Sequence, residues 1–204
     1  MKEKILIATR NKGKVKEIGD ILTTAGATGI TFLQPDDLNI SGSPDETGDD
    51  YETNSIIKAR FYGERSGLLT IADDSGLEVH TLDGFPGIKS ARLESYENSD
   101  KSRYETLLEM MSDVAEGDRH ARFVCCASAY FPNEDKVIAV TEYWEGIILE
   151  SAVGTRGFGY DPIFFDPVVG KVSAELSTEE KNRISHRGKA IKKLWDKLIF
   201  NINL

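Results

Sequence analysis

Cysteine is almost absent from this chain: Cys125 and Cys126 are the two it has, and they are neighbours in a strand-like run. Adjacent strand residues point to opposite faces, which argues against a disulfide framework and against a zinc site. Long hydrophobic runs are missing too. The longest, such as Ile5-Leu6-Ile7-Ala8, cover only a few residues, so no segment is expected to span a membrane. The opening residues carry charge but no sustained apolar stretch and no small-residue cleavage site, so no signal peptide is expected. Internal repeats, linkers and low-complexity tracts are lacking. Together these absences lead us to expect a cytoplasmic protein.

What is present is ordinary globular composition: 204 residues, 40% hydrophobic and 29% charged. That length suits one domain, 1–204, or one domain drawn out into two lobes that the sequence does not separate. The net charge of −9 is unevenly spread. Residues 1–20 hold six basic and three acidic side chains, residues 181–204 hold seven basic and one acidic, and the stretch between carries a net −18. An acidic body argues against wrapping nucleic acid, where phosphate contacts dominate affinity. Two basic ends suit a small anion held between them; a solvated basic helix is the plainer alternative.

Patterning gives strands at Lys4–Thr9 and Thr31–Leu33, and a helix from Lys14 through Val15, Ile18, Ile21 and Leu22. A second helix is expected over Tyr51–Glu64, capped by Asp49 or Asp50 and stopped by Gly67. Leu68–Ala72 reads as a buried strand that runs into Asp73-Asp74-Ser75-Gly76, after which Leu77–Val79 resumes strand character. Further helix is expected over Lys101–Val114 and His186–Phe200, with a Ser177/Glu180 capping box between them. Ala121–Phe131 and Lys136–Leu149 form a long hairpin. The class is therefore α/β with a mixed sheet.

Four fragments carry chemistry. Thr9-Arg10-Asn11-Lys12-Gly13-Lys14 joins strand to helix, where free N–H groups and the helix dipole attract phosphate; it is not a P-loop, because Ala8 and Val15 stand where glycine and Ser or Thr belong. Asp73-Asp74-Ser75-Gly76 places two carboxylates side by side, able to hold Mg²⁺ or to act as a base toward water, with an Asx-type turn as the plainer alternative. Gly154–Asp161 interleaves glycines with Phe158 and Tyr160, so that backbone can approach a ligand while a ring stacks on a base; a tight connection burying both rings is the alternative. Lys181–Lys189 gathers cations at a helix start, where a bend near Ser185 would let His186 and Arg187 face one ligand.

In this order the segments TRNKGK, ADDSGLEV, GFPGIKSAR, FVC, GFGYDPIFF and AELSTEEKNRISHRGKA resemble the noncanonical purine nucleoside-triphosphate pyrophosphatases, the inosine triphosphatase-like family, from residue 9 to residue 190. The resemblance implies a two-lobed α/β fold on a long bent mixed sheet with flanking helices, a nucleotide cleft between the lobes, and a homodimer. It implies Mg²⁺-dependent hydrolysis of ITP, dITP and XTP to the monophosphate and pyrophosphate, which cleanses the nucleotide pool. Asp74 would be the catalytic base and a metal contact. Thr9, Arg10, Asn11, Lys12, Gly13 and Lys14 would grip phosphates, and Ser75 would contact substrate. Phe158, Gly159, Tyr160 and Asp161 would line the nucleotide site, and Lys181, His186 and Arg187 would bind substrate. The family's second metal carboxylate falls among Asp45, Glu46 and Asp49, with Glu46 preferred, because Thr53 stands where a glutamate is common. The sequence leaves two alternatives. A Maf-like pyrophosphatase would lack the ISHRGKA segment, and a non-catalytic nucleotide sensor has no need of the intact Asp73-Asp74-Ser75.

Overall fold

A computed structural model describes residues 3–96 and 102–202. Their strands, β1 (Lys4–Ile7), β2 (Thr31–Leu33), β3 (Thr70–Val79), β4 (Pro86–Gly87), β5 (His120–Phe131), β6 (Lys136–Ile148), β7 (Phe164–Asp166) and β8 (Lys171–Val172), form one mixed sheet in the order β2-β1-β3-β5-β6-β7-β8 with β4 on β3. The chain divides into two interleaved compact units. The first takes residues up to Asp74, then Cys125–Glu142, then everything from His186 on; the second takes Ser75–Val124 and Tyr143–Ser185. No helix among the described residues is long and apolar enough to cross a membrane.

In the first unit β1 (Lys4–Ile7) pairs in parallel with β2 (Thr31–Leu33) and with β3 (Thr70–Val79). Strand alternation sorts the side chains into two cores. Ile5, Ile7 and Ile71 face helices α1 (Lys12–Thr24) and α5 (His186–Ile202), packing on Ile18, Ile21, Leu22, Ile191, Leu194 and Leu198. Leu6, Ala8 and Ala72 face α2 (Tyr51–Ser66) and meet Ala59 and Tyr62. Each fully buried Ile or Leu contributes about 1.5–3 kcal/mol, so this sorting fixes the register. The cysteines obey it as expected: Cys125 joins the α1/α5 side, while Ser55 of α2 donates a hydrogen bond to Cys126 Sγ at 3.4 Å. Asp50 caps α2 by accepting from Thr53 N–H at 2.6 Å, and Gly67 ends it in the left-handed conformation.

The second unit holds β4 (Pro86–Gly87), α3 (Arg103–Met110), the start of β5 (His120–Phe131), the end of β6 (Lys136–Ile148), β7 (Phe164–Asp166), β8 (Lys171–Val172) and α4 (Thr178–Ile184). Its core gathers Leu77, Leu107, Phe123, Trp144 and Phe164. The expected capping box is there: Ser177 Oγ accepts from Glu180 N–H at 3.2 Å, and Glu180 accepts from Ser177 N–H at 2.8 Å. The helix expected from Lys101 runs over Arg103–Met110; Lys101 itself lies outside the described residues.

Candidate active site

The largest departure from the sequence reading lies at Asp73-Asp74-Ser75-Gly76. It forms no turn, because β3 runs unbroken through it from Thr70 to Val79. Alternation then separates the two carboxylates. Asp73 follows Ile71 to the α1/α5 side, and Asp74 follows Ala72 to the α2 side.

Asp73 is buried, and its Oδ2 accepts from two cations, Lys14 Nζ at 2.9 Å and Arg187 Nε at 3.1 Å. Arg187 Nη1 also donates to Glu17 at 2.6 Å. Burial alone would raise the Asp73 pKa, but Lys14, Arg187 and Lys58 outweigh it and hold the carboxyl far below the usual range. The basic ends of the chain, predicted to meet on one anion, here meet on a carboxylate.

Asp74 sits 7% exposed, with Oδ1 accepting from Lys58 Nζ at 2.7 Å. Burial raises its pKa above the ordinary aspartate value; Lys58 and Lys14 oppose the shift and Glu46 reinforces it. A carboxylate raised this way is a better proton acceptor near neutrality than an unperturbed one. Lys58 also lies 3.4 Å from Glu46. Although burial disfavours its charge, Asp74, Asp73 and Glu46 hold the ammonium protonated.

The loop carrying Glu46 is fixed from α2. Asn54 Oδ1 accepts from Gly48 N–H at 2.9 Å, and its amide donates back to Gly48 C=O at 3.2 Å. A Cβ on Gly48 would stand 2.7 Å from Thr53, so only glycine allows this approach. Asp45 and Asp49 are exposed. Among the described residues no group of three or more His, Cys, Asp or Glu forms a ready metal cage. Asp74 and Glu46, two oxygen donors already drawn to one cation, instead fit Mg²⁺, which binds through one or two carboxylates and completes its shell with substrate oxygens and water.

The strand-to-helix turn is less open than its sequence suggests. Asn11 Oδ1 caps α1, accepting from Gly13 N–H at 2.9 Å and Lys14 N–H at 3.2 Å, so two of the N–H groups expected to face phosphate are occupied. Thr9 Oγ1 accepts from Asn11 N–H at 3.2 Å, and Lys12 is exposed. The Arg10 guanidinium is committed elsewhere: it donates to Asp36, Ile40 C=O, Gly42 C=O and the Tyr62 hydroxyl. Lys14, 17% exposed at its side chain, is the cation of this turn that joins the aspartates.

A separate group forms in the second unit around Asp161. Its Oδ2 accepts from Lys181 Nζ and Phe158 N–H, both at 2.7 Å, and its Oδ1 from Ser173 Oγ at 2.7 Å. Lys181 Nζ lies 5.2 Å from the centre of the Phe158 ring, a cation–π contact. Phe158 is 37% exposed, whereas Tyr160 is buried with its hydroxyl on Ser90 C=O at 3.0 Å. Of the two aromatics expected near a base, Phe158 is therefore the exposed one and Tyr160 is core; Gly159 between them has φ 64°. Ser75 begins the second unit's part of β3 and is half-buried. The expected bend is present at Ser185, which is extended (φ −69°, ψ 158°) between α4 and α5. It leaves Lys181 in the second unit, and His186 and Arg187, both buried, in the first.

Sequence reasoning missed Lys58 and Glu17. Lys58 had a legible signal: it falls in the buried stripe of α2, with Tyr51, Asn54, Ser55, Ala59 and Tyr62, where a lysine needs a carboxylate partner.

The model of the Ham1 family matches residues 5–197 of the chain. A dITP/XTP pyrophosphatase of Shigella flexneri is 44% identical over 197 residues, 96% of this chain and 98% of its own. One of Haemophilus influenzae is 44% identical over 199 residues, 97% of this chain and 100% of its own. Among solved structures, the Staphylococcus aureus Ham1 protein superposes with TM-score 0.83 at 36% identity, covering 98% of this chain and 100% of that one.

Proposed function

The chain belongs to the Ham1 family, and from that premise we propose that it is a dITP/XTP pyrophosphatase, hydrolysing dITP, XTP and ITP to the monophosphate and pyrophosphate. The observation that carries the chemistry is Asp74, a buried carboxylate raised in pKa and held by Lys58 beside Glu46.

In this reading Asp74 takes the proton of a water molecule whose oxygen bonds to the α-phosphorus. The bond from that phosphorus to the oxygen bridging to the β-phosphate breaks, and its electron pair leaves with pyrophosphate. Lys14 balances the charge that develops on the leaving group. Lys58 holds Asp74 in orientation. Asp74 and Glu46 would hold Mg²⁺, which when bound neutralises phosphate oxygens. Asn11 would exchange its cap on Gly13 and Lys14 N–H for phosphate contacts, a swap that keeps those donors satisfied. The Phe158 face and Lys181 suit the nucleoside, with Asp161 and Gly159 shaping the loop. Ser75, Thr9, Lys12, His186 and Arg187 complete the substrate-binding set, Arg187 acting through Asp73. The family resemblance supports a homodimer, the scarce cysteines and missing targeting segment a cytoplasmic place, and the acidic body the lack of a nucleic-acid partner; sedimentation at micromolar concentration tests the dimer.

Turnover of dITP, XTP, ITP, ATP and GTP with Mg²⁺ tests the proposal. The first three are expected to be preferred, and deoxyinosine diphosphate with orthophosphate as products would overturn it.

A further inference from the structure

Between the short helical turn Pro35–Leu38 and α2, residues 39–50 form neither strand nor helix, yet they carry Glu46. One stripe of α2 holds this segment. Tyr62, Lys58 and Asn54 stand four residues apart and so share a helix face. The Tyr62 hydroxyl donates to Gly42 C=O at 3.4 Å, Lys58 Nζ lies 3.4 Å from Glu46, and Asn54 pairs with Gly48. The segment therefore runs antiparallel to α2, with Glu46 on the middle rung.

The outer rungs are unequal. Asn54 makes two hydrogen bonds to Gly48, at 2.9 and 3.2 Å. At the other end the Tyr62 contact is long, and such a bond is weak. Arg10 makes up the difference. Its Nη1 donates to Gly42 C=O at 2.6 Å and to the Tyr62 hydroxyl at 3.0 Å, its Nη2 to Ile40 C=O at 2.6 Å, and its Nε to Asp36 at 2.9 Å. Every guanidinium nitrogen is thus engaged by residues 36–42 or by Tyr62, and charge-assisted bonds are the strong ones. The Ile40 side chain packs on the core of Leu6, Ala59 and Tyr62, so the stretch that depends on Arg10 is 41–47.

We propose that Arg10 is a positioning residue for the metal carboxylate: from the strand-to-helix turn it fixes the Gly42 end of the segment and so holds Glu46 beside Lys58, where a divalent cation would bind. This rests on the pyrophosphatase reading, in which Asp74 and Glu46 are the metal carboxylates. Without the guanidinium, residues 41–47 are fixed firmly at the Gly48 end alone. Glu46 then spreads over more positions and must be reordered before it can bind a cation.

The test uses the full chain with Arg10→Ala and Arg10→Lys. Mn²⁺, standing in for Mg²⁺, is titrated without nucleotide and counted by its electron paramagnetic resonance. A nitroxide on Ser43→Cys, an exposed position, reports the mobility of the segment in the absence of metal; both native cysteines are buried and stay unlabelled. Arg10→Ala is expected to weaken Mn²⁺ binding about tenfold, a usual cost for losing an outer partner of a metal ligand, and to sharpen the nitroxide lines. The Mg²⁺ concentration giving half-maximal dITP hydrolysis should rise by a similar factor, with kcat at saturating Mg²⁺ within about threefold. Arg10→Lys keeps the charge but loses the planar fork, so it should recover little. In a Glu46→Gln background Arg10→Ala should change Mn²⁺ affinity no further, because the effect runs through Glu46.

An arginine that bound phosphate directly would behave differently. Arg10→Ala would weaken metal-free pyrophosphate binding, Arg10→Lys would restore much of it, and Mn²⁺ affinity would not move; that pattern overturns the proposal. A merely structural arginine would lower thermal stability and leave Mn²⁺ affinity and label mobility at wild-type values, which overturns it too, as does an effect on Mn²⁺ that persists in Glu46→Gln. Should Arg10→Ala fail to fold, Arg10→Lys decides: weaker Mn²⁺ binding supports the proposal and wild-type affinity overturns it. A wild-type chain that binds Mn²⁺ through Glu46 but does not turn over dITP sinks the pyrophosphatase reading alone, and the Mn²⁺ titration still reports on Arg10.

Discussion

Asp73 and Asp74, consecutive on β3, face opposite sides of the sheet and are driven in opposite directions: Lys14 and Arg187 hold Asp73 ionised despite its burial, while burial raises Asp74 against the pull of Lys58. One is a structural anion and the other a candidate base, and strand alternation alone separates the roles.

The base role predicts that Asp74→Asn lowers kcat by about 10²–10⁴-fold with circular dichroism unchanged, because an amide accepts no proton from water. A rate within tenfold of wild type, a barrier change of about 1.4 kcal/mol, contradicts it.

The pH profile gives a second prediction. With a raised Asp74 pKa, kcat/KM should climb with pH along an acid limb lying above the ordinary aspartate value of about 3.9. Lys58 lowers that pKa, so Lys58→Met should move the limb to higher pH. A limb unmoved by the substitution would separate it from Asp74.

Asp73 yields a stability prediction with the opposite sign. Its folded pKa is depressed, so its contribution is complete above the unfolded value of about 3.9 and is lost as pH falls through the folded one. Removing the anion while Lys14 and the buried Arg187 remain, as in Asp73→Asn, should cost about 3–5 kcal/mol at pH 7. Urea unfolding should show the difference from wild type narrowing below about pH 4. A gap that widens in acid would contradict the assignment.

Part of this site was legible from the chain alone. The caps at Asp50 and Ser177, the long hairpin, the break at Ser185 and the pairing of the two basic ends follow from local patterning and charge. The acidic stretch of β3 did not, because aspartates disfavour strands and the cations that compensate them are distant in sequence. The sequence places Arg10 beside the phosphate candidates of its own turn, and its partners Asp36, Ile40, Gly42 and Tyr62 come from a loop and a helix no local reading brings together.

The Asp161 group is tested through Gly157. This residue has φ 78°, and a Cβ there would lie 2.1 Å from Asp161 Oδ2. Gly157→Ala should therefore push Asp161 off Phe158 N–H and Lys181, at a strain of about 1–3 kcal/mol, and raise KM for dITP more than it lowers kcat. Unchanged kinetics would remove the loop from the nucleotide site.

The central claim, hydrolysis at the α-phosphorus, is tested most directly by running dITP turnover in water enriched in the heavy oxygen isotope and weighing the products by mass spectrometry. Label in deoxyinosine monophosphate with unlabelled pyrophosphate is the predicted result; label in pyrophosphate, or in orthophosphate, would contradict it.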